Sequence, residues 1–433
     1  MEKLWKILGM GSIRSSKSSI VVNNQKKSHF IGINLGTTNS YLAILENDGN
    51  NNNNYKPKVI KKFPSVIYLK GNDSTSLNPI FGFKRLVGRN FNDFIIQKEI
   101  KRNEILPFTL PYKIVNSKIN EGEAWVETSY GHLCSPVKML QGFLTKMKET
   151  AEKYIGNDSI VAGAVITYPP AKFTVSVLKA TLEAAVMAGL VKNYVFTILE
   201  PIAVATSYGL QKEVEGTLIA VVDLGGRSLD VSILERVNSQ TCFKTKGRVV
   251  SDMFLGGEDF DYILMKYFLH EIKNADGITT EILLSDLPKF RRLAEQTKIK
   301  LSSACETEIL VPYIASSDNA GGSAEKHLTI KLTRSEFENL VGVLIDRIRF
   351  KCLSCLADAG ISAKDVDKVL LVGGMARVPI VKQVVTEIFE KSPVRGPIAP
   401  DEAAALGAAV ALYHRGCVGI HDSDFQALCE ERL

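Results

Sequence analysis

The chain has 433 residues, 45% of them hydrophobic and 23% charged, which is typical of globular proteins and long enough for two or more domains. No apolar run approaches the roughly 18 residues that cross a bilayer, so the sequence predicts no membrane span. The formal charge of +6 is concentrated in residues 1–30, with six basic residues against one acidic residue. The rest is nearly neutral and has no basic run with interleaved aromatics, which argues against nucleic-acid binding.

The first 29 residues form a segment of their own. They are acid-poor, rich in Ser, Lys and Arg, and begin with the apolar residues Leu4, Trp5, Ile7 and Leu8. This composition is typical of a transit peptide for the mitochondrion or the plastid. We therefore interpret residues 1–29 as a leader, with a disordered tail as the alternative. Mitochondrial localisation is the leading prediction, and plastid or cytoplasmic localisation is the alternative.

The first half of the chain alternates strand and helix patterns. Strand-like segments at 30–45 and 56–69 flank the polar tract 47–54, which we predict to be an extended hairpin loop. Helical spacing over 136–155 precedes the strand AGAVITY, which stops at Pro169-Pro170. Next come an Ala-rich helix that ends at Gly189, the strand-like segment VFTILEP and the helix-like segment AVATSYGL.

The second half continues in a similar order. Gly256-Gly257 precedes an acidic helix start, a helix is predicted over 286–303, and strands continue to residue 332. Thr333-x-x-Glu336 is a capping box that opens a further helix. The buried strand VDKVLLVGG, a helix from about residue 379 and the last helix, PDEAAALGAAVALYH, complete the pattern.

The seven cysteines are odd in number and scattered, which indicates reduced thiols rather than a disulfide framework. Cys352 and Cys355 are the one close pair, and they lie on a predicted amphipathic helix. No second Cys/His pair is spaced to complete a zinc site, so we predict that both thiols face the core.

One strand–turn–strand pattern occurs twice. When Ile33 of FIGINLGTTNSYLAIL is aligned with Val222 of AVVDLGGRSLDVSIL, 189 positions later, the residues before and after both turns correspond. This predicts a duplication into two α/β lobes, each of which contributes a glycine turn to a shared cleft. Backbone N–H groups in such turns bind phosphate, and carboxylates beside them hold Mg²⁺ through water.

Eight motifs in order resemble the nucleotide-binding domain of the 70-kilodalton heat-shock chaperones. They are FIGINLGTTNS, AVITYPPAKF, ILEPIAVATSYGL, VVDLGGRSLDVSIL, LGGEDFD, EQTKIKLSS, LVGGMARVP and PDEAAALGAA, which together span about 30–412. EQTKIKLSS is most similar to the bacterial and mitochondrial branch. The resemblance implies the actin-like (ribonuclease H-like) α/β ATPase fold, with lobe I at 30–215 and lobe II at 216–412. A tail at 413–433 would follow, with no peptide-binding domain.

The resemblance also implies a set of site residues for ATP or ADP with Mg²⁺. The first phosphate turn is Gly36, Thr37 and Thr38, preceded by Asn34; the second phosphate turn is Gly225, Gly226, Arg227 and Ser228. Glu200, Asp223 and Asp230 would hold Mg²⁺ through water and, with Ser228, take part in catalysis. The adenosine side would consist of Glu295, Lys298, Ser302, Gly373, Gly374, Arg377 and Asp401.

Three departures from the family pattern predict weak or lost ATP hydrolysis. Asn34 stands where the family has Asp, and Arg227 replaces a glycine, where it either supplies charge to the γ-phosphate or obstructs it. The segment that carries the family's catalytic Lys is shortened to KGNDSTSLNPIFGF, in which Lys70 is the one lysine before Lys84.

Other departures concern partners. Apolar residues enter the stretch 174–178, and Phe196 stands where the family has an Arg used with J-domain co-chaperones, so docking of those co-chaperones is not expected. The leading hypothesis is a truncated ATP-binding protein that regulates chaperone-assisted folding through nucleotide-exchange factors or a full-length chaperone. The alternatives are an active enzyme of the same superfamily, a slow ATPase or a sugar-kinase relative, and a remnant that binds no nucleotide and acts as an interaction surface.

Overall fold

The computed structural model describes residues 27–47, 55–70, 77–105, 110–170, 174–191, 194–238, 242–276, 287–316 and 323–411. The chain separates into two compact units. The first comprises residues 1–213, 236–244 and 402–433, and the second comprises 214–235 and 245–401.

The strands are β1 (Lys27–Asn34), β2 (Asn39–Asn47), β3 (Tyr55–Pro64), β4 (Val66–Lys70), β5 (Leu77–Phe81), β6 (Lys113–Asn116), β7 (Ala124–Glu127), β8 (Leu133–Cys134), β9 (Ser159–Tyr168), β10 (Val195–Leu199), β11 (Leu218–Leu224), β12 (Leu229–Arg236), β13 (Phe243–Thr245), β14 (Val250–Asp252), β15 (Glu306–Ser316), β16 (Ser323–Thr333) and β17 (Lys368–Val372). The helices are α1 (Phe94–Ile105), α2 (Pro136–Ile155), α3 (Val175–Met187), α4 (Glu200–Ser207), α5 (Gly257–Asp276), α6 (Leu287–Leu301), α7 (Arg334–Leu340), α8 (Gly342–Asp358), α9 (Pro379–Phe389) and α10 (Ala403–Ala411).

The first unit is built on a five-stranded sheet of order β10-β9-β1-β2-β3. Its centre, β1, is antiparallel to β2 and parallel to β9. Successive side chains of a strand alternate between the two faces of its sheet. Ile31 and Ile33 of β1 are fully buried in the hydrophobic core that also contains Leu140 and Leu144 of α2. On the other face, a Cβ on Gly32 would lie 2.4 Å from the backbone N of Ala409 in α10, so the strand is covered on both faces.

The second unit repeats the central arrangement in a second sheet. Strand β11 is antiparallel to β12 and parallel to β17, while β14 pairs with the outer edge of β12. Where β1 has Ile33 opposite Leu42, β11 has Val222 opposite Val231, and each partner lies 189 positions after its counterpart. The register therefore agrees with the predicted duplication residue by residue. Val394 N also donates to the carbonyl oxygen of Val369 in β17 at 2.8 Å.

Most predicted elements are present with small shifts. Helix α2 has the predicted bounds, α6 is slightly shorter than 286–303, and the capping box at Thr333 and Glu336 is formed. The strand predicted at 56–69 is instead divided at Ser65 into β3 and β4. The backbone N of Ser65 donates to Thr38 O at 2.9 Å.

Three predicted segments, namely the leader, the polar tract and the tail, lie wholly or largely outside the described part of the chain. Residues 48–54 of the polar tract, 1–26 of the leader and all of the tail lie outside the described residues. Strand β1 begins at Lys27, within the predicted leader.

Helix α10, which the prediction placed in lobe II, groups with the first unit because it packs on β1 and α4. Among the described residues, no helix is long and apolar enough to cross a membrane.

Cys352 and Cys355 are both buried, which confirms that this pair faces the core. The Cys355 thiol donates to the carbonyl of Val231 at 3.4 Å, linking α8 to β12. Burial raises the pKa of Cys352 to about 12 and that of Cys355 to about 11.

We therefore expect a large difference in thiol reactivity. Because the thiolate is the reacting species, iodoacetamide at about pH 8 should label exposed Cys305 at least about a hundredfold faster than Cys352 or Cys355. Peptide mass spectrometry over time measures the rates, and labelling in denaturant serves as the control. Equal rates in the native protein would contradict the buried position of the pair.

The crossing of α10 and α4 provides a test of packing. A Cβ on Gly407 would lie 1.7 Å from the carbonyl oxygen of Ala203, so Gly407→Ala should lower the free energy of unfolding by about 2 kcal/mol. Gly142 in α2 is the matched control, because nothing lies within 4 Å of its Cβ position. Gly142→Ala should be neutral or stabilising by up to about 1 kcal/mol. Urea unfolding compares them, and equal effects would refute the close crossing.

Candidate functional site

The first phosphate turn joins β1 to β2 and leaves no space for a side chain at its centre. A Cβ on Gly36 would lie 1.9 Å from the carbonyl oxygen of Asn39. Ser65 Oγ donates to Gly36 O at 2.7 Å, and Ser40 Oγ lies 2.8 Å from Ser65 Oγ. Thr38 Oγ1 is buried and has no hydrogen-bond partner among the described residues, so its hydroxyl keeps its capacity for a ligand.

A row of polar side chains begins at the end of β1. Asn34 Oδ1 accepts a hydrogen bond of 3.1 Å from Thr167 Oγ1 on β9, and Glu200 Oε1 lies 3.5 Å from the same hydroxyl. Lys84 Nζ lies 4.0 Å from Glu200 Oε1. Burial raises the pKa of Glu200, against the opposing effects of Lys84 and Thr167. The first unit therefore brings together Asn34 and Glu200, which were predicted, with Thr167 and Lys84, which had no predicted role.

The second phosphate turn is held by the first residues of α5. Gly225 N donates to Ser228 O at 2.9 Å and closes the turn. Gly257 N donates to Gly225 O at 3.0 Å, and Glu258 N donates to Gly226 O at 2.8 Å. The N–H groups that a helix start leaves unpaired are thus used to fix the turn.

Arg227 points into the protein. Its side chain is 1% exposed, and its Nε lies 3.2 Å from Glu258 Oε2. Arg291 NH2 lies 3.0 Å from the other oxygen of the same carboxylate. Two cations therefore share one carboxylate at the start of α5, where the positive end of the helix dipole also favours a negative charge.

Two predicted carboxylates lie side by side next to this turn. Asp223 on β11 is directly opposite Asp230 on β12. Directly opposed residues of antiparallel strands project to the same face with Cβ atoms about 5 Å apart. Ser251 donates to Asp230, and a Cβ on Gly373, whose φ is +84°, would lie 2.7 Å from Asp223 Oδ1.

This pair has the donor chemistry that Mg²⁺ uses in phosphate sites. That ion commonly takes one or two carboxylates together with substrate phosphates and water. The described part of the chain has no group of three or more His, Cys, Asp or Glu residues placed to hold a metal by themselves. Two carboxylates on one face of the sheet match the number that Mg²⁺ commonly takes alongside phosphates and water.

The predicted adenosine-side residues belong to three parts of the second unit. Glu295, Lys298 and Ser302 share one face of α6 and the residue after it, and Ser302 Oγ donates to Lys298 O at 2.9 Å. Gly373 and Gly374 follow β17. Arg377 NH2 lies 2.6 Å from Asp401 Oδ1, so this pair is an ion pair.

Lys298 is buried although it lies on a charged helix. Its Nζ is 2.7 Å from Asp261 Oδ1 and donates to Gly257 O at 3.0 Å. Burial raises the pKa of Asp261 to about 6, even though Lys298 opposes the shift. Lys298 thus links α6 to the start of α5, which itself holds the second phosphate turn.

Sequence reasoning assigned no individual role to Thr167, Glu258, Asp261 or Lys84. A signal existed for the first three: Thr167 is the polar residue in the apolar strand AGAVITY, and both acids lie in LGGEDFD. For Lys84 no local pattern distinguishes it from a surface lysine.

The shared carboxylate predicts an asymmetric effect of mutations. Glu258→Gln leaves the buried Arg227 without this charge partner and should lower the free energy of unfolding by about 3 kcal/mol. Adding Arg227→Gly should recover much of that loss, because the buried charge is removed with it. Urea unfolding of the double-mutant cycle measures both effects.

The matched control is Glu387→Gln, which breaks the exposed ion pair of Glu387 with Arg349. Exposed pairs contribute less than about 1 kcal/mol, so the control should be nearly neutral. The buried arrangement would be refuted if Glu258→Gln were as mild as the control.

Most of the chain is similar to members of one protein family. The profile of the Hsp70 protein family matches residues 30–415. Over 399 residues the chain is 45% identical to the proteins named "Heat shock 70 kDa protein, mitochondrial" of Solanum tuberosum and of Pisum sativum, in each case covering 88% of this chain and 54% of the relative.

A third relative, named "Heat shock protein hsp-6", is from Caenorhabditis elegans and is 39% identical over 422 residues, covering 93% of this chain and 59% of the relative. The chain thus spans between half and two thirds of the length of these relatives. The names of the two plant proteins agree with the mitochondrial prediction. The α/β fold class and the family that the eight motifs resemble are confirmed. The chain belongs to the Hsp70 family and carries its nucleotide-binding region.

Proposed function

We propose that the chain binds ATP and ADP together with Mg²⁺ and hydrolyses ATP weakly or not at all. The observation that carries this proposal is the repeated register at the two glycine turns. Asn34 lies opposite Tyr41 just before the first phosphate turn, and Asp223 lies opposite Asp230 just before the second. Membership of a nucleotide-binding family supports the same conclusion.

Backbone groups would make the phosphate contacts. Glycine turns at strand ends present N–H groups to an anion and allow it to approach closely. Asp223, Asp230 and Glu200 would hold the water shell of Mg²⁺, which neutralises phosphate charge when it is bound. Glu295, Lys298, Ser302, Gly373, Gly374, Arg377 and Asp401 would contact the adenosine.

Weak hydrolysis follows from side chains rather than from the backbone. The amide of Asn34 carries no charge, and its oxygen accepts from Thr167. Arg227 is paired with Glu258 in the second unit, which argues against a role as the replacement cation for the γ-phosphate. Losing one electrostatic group typically lowers a rate by about 10²–10³-fold, while binding through the turns would be largely retained.

Two alternatives remain as outcomes of the tests. An active slow ATPase would need the carboxylates to compensate for Asn34. A remnant that acts only as an interaction surface is favoured by the side chain of Arg227, which stands where the family resemblance implies glycine. The carboxylate pair Asp223 and Asp230 favours nucleotide binding instead.

We also propose mitochondrial localisation and a role in chaperone-assisted folding. The composition of residues 1–29 and the names of the plant relatives support the location. Nucleotide-exchange factors or a full-length chaperone are the proposed partners. A pull-down from mitochondrial extract should recover one of these two classes, and recovery of neither would reject this part of the proposal.

The first test is titration calorimetry of the full chain with Mg-ATP and with Mg-ADP. We expect micromolar or tighter binding of both. A single-turnover assay then measures hydrolysis, and rapid turnover would favour the slow-ATPase alternative. Absence of binding to a folded sample would reject nucleotide binding and leave the interaction surface.

The carboxylate pair is tested by Asp223→Asn. This change removes one charge that would hold the Mg²⁺ water shell, so Mg-ATP binding should weaken by about tenfold. Asp346→Asn, at an exposed position of α8, is the matched control and should bind as the wild type does. Melting temperatures verify that both variants are folded. Equal affinities would exclude Asp223 from the metal site.

A further inference from the structure

Lys84 is held in a defined position within the first unit. It is the middle residue of a 3-10 turn, Phe83–Arg85, that follows β5. Phe83 and Arg85 on either side are buried, and Arg85 Nε lies 2.6 Å from Glu99 Oε1. The backbone of Lys84 is therefore fixed by its neighbours, while its own side chain is 20% exposed.

The same lysine lines a small cavity together with the first phosphate turn. Gly36 and Thr37 contribute to the lining, as do Ser65 and Phe83. All the residues that line the cavity belong to the first unit. They include Ser40 and Ser65, and the Ser65 hydroxyl donates to Gly36 O. Lys84 and the turn residues Gly36 and Thr37 therefore border the same space.

The ion pair of Lys84 with Glu200 is long. Its separation of 4.0 Å exceeds the roughly 2.8 Å of a charge-assisted hydrogen bond. Lysine has a flexible stem and three donors, so its ammonium can shift toward a phosphate while it remains near the carboxylate. Two other cations were considered above for a phosphate contact. Arg227 forms its ion pair with Glu258 in the second unit, and the side chain of Lys70 lies outside the described residues.

We propose, resting on the nucleotide binding proposed above, that Lys84 contacts a phosphate group held at the first phosphate turn. The ligand class is a nucleoside diphosphate or triphosphate. In this role Lys84 provides positive charge beside Asn34 and Glu200. The segment that carries the catalytic lysine in the family is shortened in this chain to residues 70–83. The contribution of Lys84 should therefore depend on the presence of phosphate on the ligand.

The test compares ATP, ADP and adenosine on the full chain by titration calorimetry, with competition against a fluorescent nucleotide for weak binding. Lys84→Gln should weaken ATP binding by at least about tenfold, with little change for adenosine. Lys84→Arg should retain much of the wild-type affinity. Lys146→Gln is the matched control, because Lys146 is exposed on α2 of the same unit.

The outcomes separate this proposal from the one on which it rests. If the wild type binds no nucleotide, the proposed function fails first. If the wild type binds but Lys84→Gln binds ATP as tightly as Lys146→Gln does, Lys84 contacts no phosphate. If Lys84→Gln weakens ATP and adenosine equally, or lowers the melting temperature markedly, its role is structural and the proposal is overturned.

Discussion

The close approach of backbone segments at the ends of β1 and β11 is the constraint on which the rest of the candidate site depends. Gly36 and Gly256 each occupy positions where a Cβ would come within 2.4 Å or less of another backbone atom. Such spacing leaves the turns little freedom, and hydrogen bonds from Ser65 and Glu258 fix them further. Turns held in this way can present N–H groups to an anion with little loss of conformational entropy.

Buried charges surround the second turn and connect it to two helices. Glu258 binds Arg227 and Arg291, while Lys298 binds Asp261 and the carbonyl of Gly257. All of these contacts meet at the start of α5. Because desolvated charges are costly without partners, each ion pair favours one arrangement of α5, α6 and the turn over alternatives. The second phosphate turn is thus supported by electrostatics, whereas hydroxyl hydrogen bonds support the first.

The sequence was sufficient to predict the parts that depend on local chemistry. The duplication, the capping box at Thr333, the bounds of α2 and the core position of Cys352 all follow from periodicity or turn residues. The break of the strand at Ser65 and the grouping of α10 with the first unit did not follow, because both depend on contacts between distant segments. The burial of Lys298 likewise depends on Asp261, a partner 37 positions away that no helical pattern indicates.

The same distinction explains why Arg227 was open to two interpretations. A residue in a glycine turn was expected either to approach the phosphate or to obstruct it, since both follow from its position alone. The structure shows a third arrangement, in which Glu258, in the first turn of α5, binds the guanidinium within the second unit. An ion-paired side chain directed into the protein leaves the backbone of the turn as the group that would meet a phosphate. For this reason we expect nucleotide binding to tolerate the substitution better than catalysis, which needs charges placed at the reacting atoms.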